Sequence, residues 1–534
     1  MPTSRAKDLA DFIAKQSSSA DDILETGALQ LPAGTTGERP TAVEGMLRYN
    51  STLDLAEYYD GNNWKAIDSP PTITSISPDN FDTAGDTITV AGANFQSGAT
   101  VKIKAADGSE FSASSVTVTN SSTISFDITS AMVADDNDPY DVIVLNTSGL
   151  SGTLAASLDF APEPAWTVGA GSLASIYDSG RSSISITTGA TSTESDATIT
   201  YAVTTGSLPS GLSIASGTGT ITGTASAVGS DTTSTFTLTA TATDSSSNTT
   251  TNTRQYSIVV KAPAITSYTS TGSGTFSVPS GLTALDVLVI GGGAGGGGAG
   301  SDDTAGGGGG AGGLIYRPAF PVTPSGSISY SVGGGGGPSG NGLDAGGNPG
   351  TDSTFGTLTA KGGGGGGSYA SYSGQNGGSG GGGATQPQRQ QGGAGIQPQQ
   401  PGDSGSYGFG NPGGQAANYS PPAQGATSPN AGGGGGAGRA GYNHNESPSA
   451  GGGTSKSYSI SGSPVAYAGG GGGGGGNGAG GGGGAGPGQP SAQSGNGDNA
   501  TANRGSGGGG ANSHGNGGSH SGGSGGSGVI IVKY

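Results

Sequence analysis

Hydrophobic and polar residues alternate over short runs through the first half of the chain, and Gly, Asn, Asp, Ser or Pro separates one run from the next. An alternation of period two predicts half-buried β-strands, and turns about every 8–12 residues are typical of β-sandwiches. The predicted strands are Met46–Tyr49, Leu55–Tyr59, Trp64–Ile67, Ser115–Thr119, Thr123–Ile128, Tyr140–Leu145, Ser183–Ile186, Ile199–Val203, Leu212–Ile214, Thr220–Gly223, Phe236–Ala242 and Tyr256–Val260.

One segment near the start has a helical period instead. Within residues 5–16, Leu9, Phe12 and Ile13 are spaced as on one helix face, with Asp and Lys on the other. A helix of about three turns is unstable alone in water, so we expect these side chains to dock on a partner or on other copies of the chain. They are the oligomerisation candidates of an N-terminal attachment segment, residues 1–28. A frayed terminal helix is the alternative.

Long glycine runs interrupted by β-like runs make up residues 264–534. The glycine runs are 291–298, 306–313, 333–337, 362–367, 432–436 and 469–485, and the β-like runs are Thr275–Val278, Leu285–Ile290, Ser327–Val332, Ser457–Ile460 and Val529–Val532. Glycine runs are usually flexible linkers, but this region is roughly 240 residues long, beyond the usual length of a linker. An apolar closing strand would also serve no purpose on a disordered tail.

We therefore predict an ordered bundle of polyproline-II-like glycine strands, framed by β-strands that place 529–532 beside 285–290. A polyproline-II helix has no internal hydrogen bonds, so its buried amides and carbonyls must pair with neighbouring strands. Glycine allows the close approach that this pairing needs.

Composition divides the chain at nearly the same place. Of the 116 Gly, 92 lie in residues 291–534, where seven basic residues balance seven acidic ones. The whole formal charge of −18 therefore belongs to residues 1–290. Phosphate contacts need clustered Lys and Arg, so we expect no nucleic-acid partner.

Membrane insertion and secretion are not expected either. No apolar run approaches the length of a membrane span, and the first residues show no apolar region of the signal-peptide kind. The expectation is a protein made in a cytoplasm. The absence of Cys excludes disulfides and thiol catalysis.

Three sequence patterns are candidates for binding a cofactor or a metal ion, and each has a simpler explanation. Asp286–Gly295 mimics a dinucleotide fingerprint, but the glycine that follows cannot form the required helix. Asp135–Asp141 and Asp244 are weak Ca²⁺ candidates, for which solvated turns are the alternative. The three histidines, His444, His514 and His520, are isolated in sequence. We expect no cofactor, no catalytic residue and no enzyme activity.

Residues 29–69 carry an ordered series of residues that resembles a short module of phage tail-fibre and virion structural proteins. The series is Pro32, Gly34 to Gly37, Arg39–Pro40, Gly45–Met46, Arg48–Asn50, Glu57, Asp60–Gly61 and Trp64. The three short β-like runs in this region, separated by the turn residues Asn50–Ser51 and Asp60–Asn62, predict a small β-meander.

Two Ig-like resemblances follow. In residues 70–161, Ser77–Pro78, Gly85 and Gly92–Phe95 resemble the IPT/TIG type of domain. In residues 162–263, Leu208–Leu212 with Gly219–Thr224 resembles the Putative-Ig, cadherin-like repeats of surface adhesins. The resemblances imply two tandem sandwiches that act as spacers.

Residues 264–534 resemble the glycine-rich domain of phage fibre and receptor-binding proteins, and also the tip adhesins of T-even-type phages. The resemblance rests on TFSVPSGLTALDVLVIGGGAGGGG, Ser353–Gly356 and the terminal GSGVIIVKY. It implies a polyglycine-II-type adhesin domain that displays loops.

Together the resemblances imply an all-β, non-enzymatic fibre or adhesin of a tailed bacteriophage, located in the virion. Its N-terminus would bind other virion proteins, it would be a homotrimer, and a host surface glycan or outer-membrane protein would be the receptor. A capsid- or neck-attached fibre or decoration protein without receptor role, and a bacterial surface adhesin exported without a signal, are the alternatives.

Side chains that interrupt the glycine runs are the receptor-binding candidates. Amide side chains surround Arg389, and tyrosines, Tyr369 and Tyr372 among them, recur in the polar interruptions. Tyr and amide side chains on rigid loops suit recognition, as in antibody paratopes. In the stretches 386–402, 403–430 and 440–468 the candidates are Gln388, Arg389, Gln390, Tyr407, Phe409, Tyr419, Tyr442 and Tyr467. The alternative is that the aromatic rings plug the ends of the bundle.

Overall fold

The computed structural model describes residues 31–534 except 82, 134–137, 161–163, 183, 193–196, 245–246, 301–302, 341–345, 386–389, 398–407, 418–429, 447–449, 477 and 516–517. The described chain is nearly all β, as predicted. The expected N-terminal helix, with Leu9, Phe12 and Ile13, lies outside the described residues.

The first module is one small sheet with the strand order β1-β2-β3-β4. Its strands are β1 Ala33–Gly34, β2 Leu47–Asn50, β3 Leu55–Tyr59 and β4 Trp64–Ile67, with a 3₁₀ turn at Thr36–Glu38. Its interior is polar: Arg48, Asn50 and Glu57 are buried, and the Glu57 carboxylate accepts bonds from Arg39 and Asn50. The hydrogen bond from the Arg39 guanidinium, followed by that from the Asn50 side chain, holds the pKa of Glu57 below its usual value.

The next module is a two-layer sandwich. Its elements are β5 Thr72–Ser77, β6 Asn80–Phe81, β7 Thr87–Ala93, β8 Thr100–Lys104, β9 Glu110–Ser112, β10 Ser114–Asn120, β11 Thr123–Asp127, α1 Ser130–Val133, β12 Tyr140–Leu145 and β13 Ser151–Phe160. The sheets β10-β11-β7-β5 and β6-β13-β12-β8-β9 enclose one core, in which Phe126 and Tyr140 are fully buried.

A second sandwich follows. Its strands are β14 Ala165–Trp166, β15 Gly171–Tyr177, β16 Ser185–Thr187, β17 Ala190–Thr191, β18 Thr198–Gly206, β19 Leu212–Ile214, β20 Thr220–Gly223, β21 Thr232–Thr243 and β22 Thr249–Lys261. The main sheet has the order β15-β22-β21-β18, and β16-β20-β19 faces it around a shared core. In that core the Trp166 ring lies 5.9 Å from the Tyr201 ring and 5.8 Å from the Tyr256 ring.

The last module begins and ends in a β-frame. Its strands are β23 Ile265–Tyr268, β24 Gly272–Ser277, β25 Ala284–Ile290, β26 Leu314–Pro321, β27 Ser327–Val332, β28 Ser353–Phe355, β29 Leu358–Ala360, β30 Gly408–Phe409, β31 Lys456–Tyr458, β32 Val465–Tyr467 and β33 Val529–Lys533. They form the sheets β23-β33-β25-β26-β30 and β24-β27-β28-β29 and the hairpin β31-β32.

The closing strand β33 pairs with β25 and is apolar because both of its faces are buried. Ile530 and Val532 point into the core between the two sheets. Val529 and Ile531 point the other way, into a second cluster that contains alanines at the ends of glycine runs. The prediction that 529–532 lies beside 285–290 is confirmed by the ladder.

The glycine runs form a packed polyglycine bundle, which comprises the extended segments between 291 and 528. Segment 306–313, which leads into β26, lies in its interior. Its amides donate to three different neighbours in rotation. The donor–acceptor pairs are Gly306–Ala511, Gly309–Gly508 and Gly312–Gly505 on one side, Gly307–Gly367, Gly310–Gly364 and Gly313–Lys361 on the next, and Gly308–Gly432 and Ala311–Gly435 on the third.

The carbonyls of the same segment accept from three further segments, 291–297, 379–382 and 471–474. Each neighbour recurs every third residue, which is the turn of a polyproline-II helix. Segment 306–313 therefore has six hydrogen-bonded neighbours, as the centre of a hexagonally packed bundle must.

The β-frame sets the register of this bundle. Ile290 lies opposite Leu314 in the β25–β26 ladder. Beyond the ladder the same antiparallel register continues with one bond every three residues, from Gly291, Ala294 and Gly297 to Gly313, Gly310 and Gly307. The β25–β33 ladder continues in the same way from Ile290–Val529 to Gly293–Gly526 and Gly296–Gly523.

Interior glycines leave no room for a side chain. A Cβ placed on Gly308 would lie 2.1 Å from the carbonyl oxygen of Gly471. We expect Gly308→Ala to lower the calorimetric transition of the glycine-rich region by the equivalent of about 1–3 kcal/mol, the usual cost of overpacking.

Gly518→Ala is the matched control, because a Cβ at this exposed glycine meets no atom within 4 Å. It should change the transition by less than about 0.5 kcal/mol. Equal transitions for the two variants would contradict a packed bundle.

Candidate binding surface

The polyglycine bundle has one end at the β-frame and an opposite end, which we call the far end. Segment 291–298 leaves β25 and segment 306–313 returns to β26, so the described residues of the connection between them, 299–300 and 303–305, lie at the far end. Segments hydrogen-bonded to this connection, through Thr385, Ser513 and His520, also end there. Gly367 accepts from Gly307, which places the turn 368–373 at the same end.

The turn 368–373 exposes two aromatic side chains at the far end. Tyr369 is 39% exposed and Tyr372 is 44% exposed. The turn is held in shape, because the Ser371 amide donates to the Ser368 hydroxyl at 3.2 Å and the Ala384 amide donates to the Tyr372 carbonyl at 2.9 Å. Two tyrosines are therefore presented from a fixed backbone.

The histidines also lie at the far end. The amide of His444 donates to the Gln415 carbonyl, and that of His520 donates to the Ala299 carbonyl. His514 Nδ1 lies 3.4 Å from Asp303 Oδ1. In the part of the chain that the structure describes, no group of three or more His, Asp or Glu side chains is arranged to hold a metal ion.

The two Ca²⁺ candidates have hydrogen-bonding roles where they are described. Asp244 accepts from the amide and side chain of Asn248, as a turn residue does. Asp141 accepts from the Ala156 amide, and Asp138 accepts from the Phe160 amide. Residues 135–137 lie outside the described residues.

Half of the predicted binding residues cannot be located, because Gln388, Arg389, Tyr407 and Tyr419 lie outside the described residues. Gln390 lies near the far end, where its carbonyl accepts from the Ala416 amide and its side chain accepts from Ser373 at 3.4 Å. It thus adjoins the turn that carries the two exposed tyrosines.

Tyr442 is half-buried on the side of the bundle. Its backbone pairs with Gly433 and Gly451, and the Arg439 guanidinium lies 3.7 Å from the centre of its ring. This arrangement holds the ring in place against a cation.

Phe409 and Tyr467 lie at the frame end, and this corrects their assignment to the binding surface. Phe409 is on the edge strand β30, where it pairs with Leu314, and the Lys456 ammonium lies 4.1 Å from its ring centre. Tyr467 is only 4% exposed. Both belong to the apolar cluster between the frame and the bundle. These two rings therefore pack at the end of the bundle, as the alternative interpretation of the aromatic residues predicts.

Comparisons with known families agree with this division of the chain. Residues 71–161 match the IPT/TIG domain family, residues 167–261 match the family described as Putative Ig domain, and residues 269–534 match the Glycine-rich domain family. The chain contains an IPT/TIG domain, an Ig-like domain and a glycine-rich domain. Such Ig-like domains indicate an adhesion or structural role. A comparison with curated proteins gives no match.

Several solved cadherin structures share a remote likeness with the chain. Extracellular domains 3–6 of protocadherin gamma B2 are 12% identical, with a TM-score of 0.18 over 41% of this chain and 58% of that one. The human desmocollin-1 ectodomain is 13% identical (TM-score 0.18; 40% and 42% covered), and mouse cadherin-23 EC22-24 is 16% identical (TM-score 0.19; 49% and 94% covered). The chain covers less than two thirds of the length of the first two of these structures. TM-scores this low carry no argument.

The Ig-like domain is joined to the glycine-rich domain by a polar contact around Arg181. Its guanidinium binds Asp178 at 2.9 Å and Asp286 of β25 at 3.2 Å. The amide of Thr283 donates to the Arg181 carbonyl at 2.8 Å, and the rings of Tyr177 and Tyr534 lie 6.3 Å apart. The frame is therefore fixed directly to the preceding sandwich.

The IPT/TIG and Ig-like domains also share a contact. The Asn248 side chain donates to the Asp159 carboxylate at 3.3 Å.

No helix among the described residues is long and apolar enough to cross a membrane.

Tyr458 gives the frame end of the bundle a measurable pH dependence. Burial, followed by the nearby Tyr316, raises the pKa of Tyr458 to about 12. An unfolded tyrosine ionises near pH ~10, so the folded state keeps its proton to higher pH. The resulting stabilisation is fully present below pH ~10 and is lost as the pH rises from ~10 towards ~12.

We expect the melting temperature of the glycine-rich domain to fall over this interval, and to fall less in Tyr458→Phe. The melting temperature of Tyr369→Phe, in which an exposed ring is changed, should fall as much as that of the unaltered chain. Identical profiles for all three proteins would contradict the raised pKa of Tyr458.

Proposed function

We propose that this protein is a non-enzymatic fibre or adhesin of a tailed bacteriophage, and that it binds the host surface through the far end of its polyglycine bundle. The observation that carries the proposal is the pair of exposed tyrosines on the fixed turn 368–373. Rigid aromatic anchors beside polar groups are a common basis of recognition, because little side-chain entropy is lost on binding.

The arrangement of modules supports this role. The N-terminal module and the two Ig-like sandwiches precede the glycine-rich domain, and the Arg181 contacts join the last sandwich to the β-frame. The far end lies on the side of the bundle opposite the frame. A spacer with its binding loops on the outermost side is the form that an adhesin requires.

The distribution of charge also supports the glycine-rich domain as the part that contacts the host. The formal charge of −18 belongs to residues 1–290, while residues 291–534 carry seven charges of each sign. An acidic surface is repelled by the negatively charged envelope of a bacterium, and a neutral one is not. The glycine-rich domain is therefore the part suited to contact a host glycan or outer-membrane protein.

We expect the double variant Tyr369→Ser, Tyr372→Ser to reduce adsorption of the labelled protein to host cells by at least tenfold. Its thermal unfolding should stay unchanged, because both rings are exposed. The measurement is binding to cells of the bacterium that the phage infects, with calorimetry alongside.

Phe409→Ser is the control, since that ring packs at the frame end and its loss should lower stability rather than direct adsorption. Full adsorption by the double tyrosine variant would contradict a binding role for the turn 368–373.

We also propose that the N-terminal part, residues 1–69, attaches the chain to other virion proteins and that the protein is a homotrimer in the virion. Light scattering of the purified full chain should give the mass of three copies. A monomer at micromolar concentration would contradict the trimer. Immunogold labelling of purified virions should mark the tail; a label on the capsid or neck, or none, would contradict the tail-fibre assignment.

A further inference from the structure

Among the described residues, one face of the small N-terminal sheet is mostly apolar and uncovered. Leu47, Tyr58 and Lys65 lie directly opposite one another across β2, β3 and β4, and Tyr49, Ala56 and Ile67 form the next row. These six residues share one face, which we call the open face. Leu47 is 39% exposed, Tyr58 41% and Ile67 48%.

The other face of the same sheet is filled. Residues 35–39 cross it, and Arg39 binds Glu57 there while the Arg48 guanidinium donates to the Thr35 carbonyl. Each sheet of a stable domain normally buries one apolar face against a second layer. In this module the covered face holds the buried Arg48–Glu57 pair with Trp64 beside it, and the face that carries Leu47, Tyr58 and Ile67 is left open among the described residues.

A segment that fits the open face precedes the sheet in the chain. The sequence of residues 5–16 predicts a helix with Leu9, Phe12 and Ile13 on one side, too short to be stable alone. We propose that this helix packs on the open face of its own chain, with those three side chains against Leu47, Tyr58 and Ile67. Asp8, which borders the apolar stripe, would complement Lys65 at the margin of the face.

The chain length favours this partner over a second copy. Residues 17–30 connect the helix to the sheet and can span up to about 46 Å at 3.3 Å per residue, whereas three strands are about 10 Å wide. A short tether gives an effective concentration on the order of millimolar, which exceeds the concentration of other copies in solution. The trimer proposed above then uses other surfaces.

The chain has no Cys, so a pair of introduced cysteines reports this contact directly. Ala56→Cys places one thiol at the centre of the open face. Ala6→Cys or Gln16→Cys places the other near the apolar stripe, at either end of the helix. After mild oxidation of the full-length double variants, we expect an intrachain disulfide in at least one pairing, seen by peptide mass spectrometry and independent of protein concentration.

Two controls define the result. Ser230→Cys, on the exposed surface of the Ig-like domain, replaces the Ala56 partner and should give at least fivefold less intrachain product. Adding Phe12→Ser to the cross-linking pair should lower the yield to that same background.

Disulfides between chains, with a yield that rises with concentration, would show that a second copy covers the face and would overturn the proposal. A yield no higher than the Ser230 control would overturn it as well. Neither outcome bears on adsorption through the turn 368–373.

Discussion

The glycine-rich domain depends on one constraint: every buried amide and carbonyl of a chain without side chains must find a partner on another segment. A polyproline-II helix offers no partner within itself. Segment 306–313 meets the constraint by hydrogen bonding to six neighbours. Ordering a residue costs about 1–2 kcal/mol, and a hydrogen bond returns about 0.5–1.5 kcal/mol. Close packing of the backbones therefore decides whether the folded bundle is lower in free energy than the disordered chain.

The β-frame solves the problem of register that a uniform glycine sequence cannot solve. Glycine runs are interchangeable by themselves, since a shift along the helix axis changes no side-chain contact. The ladders of β25 with β26 and β33 remove that freedom, because Ile290 is fixed opposite Leu314 and Val529 before the runs begin. The apolar closing strand thus specifies hydrogen bonds far from its own position.

Much of the β architecture was predictable because its signals are local. Strands with clear alternation, such as Tyr140–Leu145 and Leu212–Ile214, have the predicted bounds. The prediction Phe236–Ala242 is too short: β21 runs from Thr232 to Thr243, because Thr232–Thr235 pair with Ser257–Val260 of β22 and Thr243 pairs with Thr249. Ser457–Ile460 was displaced, since Ile460 lies in the turn after β31 and packs into the cluster at the frame.

The binding surface was less predictable because it depends on which end of the bundle a connection occupies. Phe409 and Tyr467 occur in the same kind of polar interruption as Tyr372, yet they lie at the frame end. Residue type does not distinguish the two ends. The path of successive segments away from the frame and back decides which rings are buried and which are exposed.

Hydrogen–deuterium exchange of the full chain tests the packed bundle most directly. Amides in 291–297, 306–313 and 470–474 should be protected as strongly as those of β25 and β33, because each donates to a carbonyl of another segment. Exchange in these runs at the rate of an unstructured glycine peptide, with the β-strands still protected, would contradict the account.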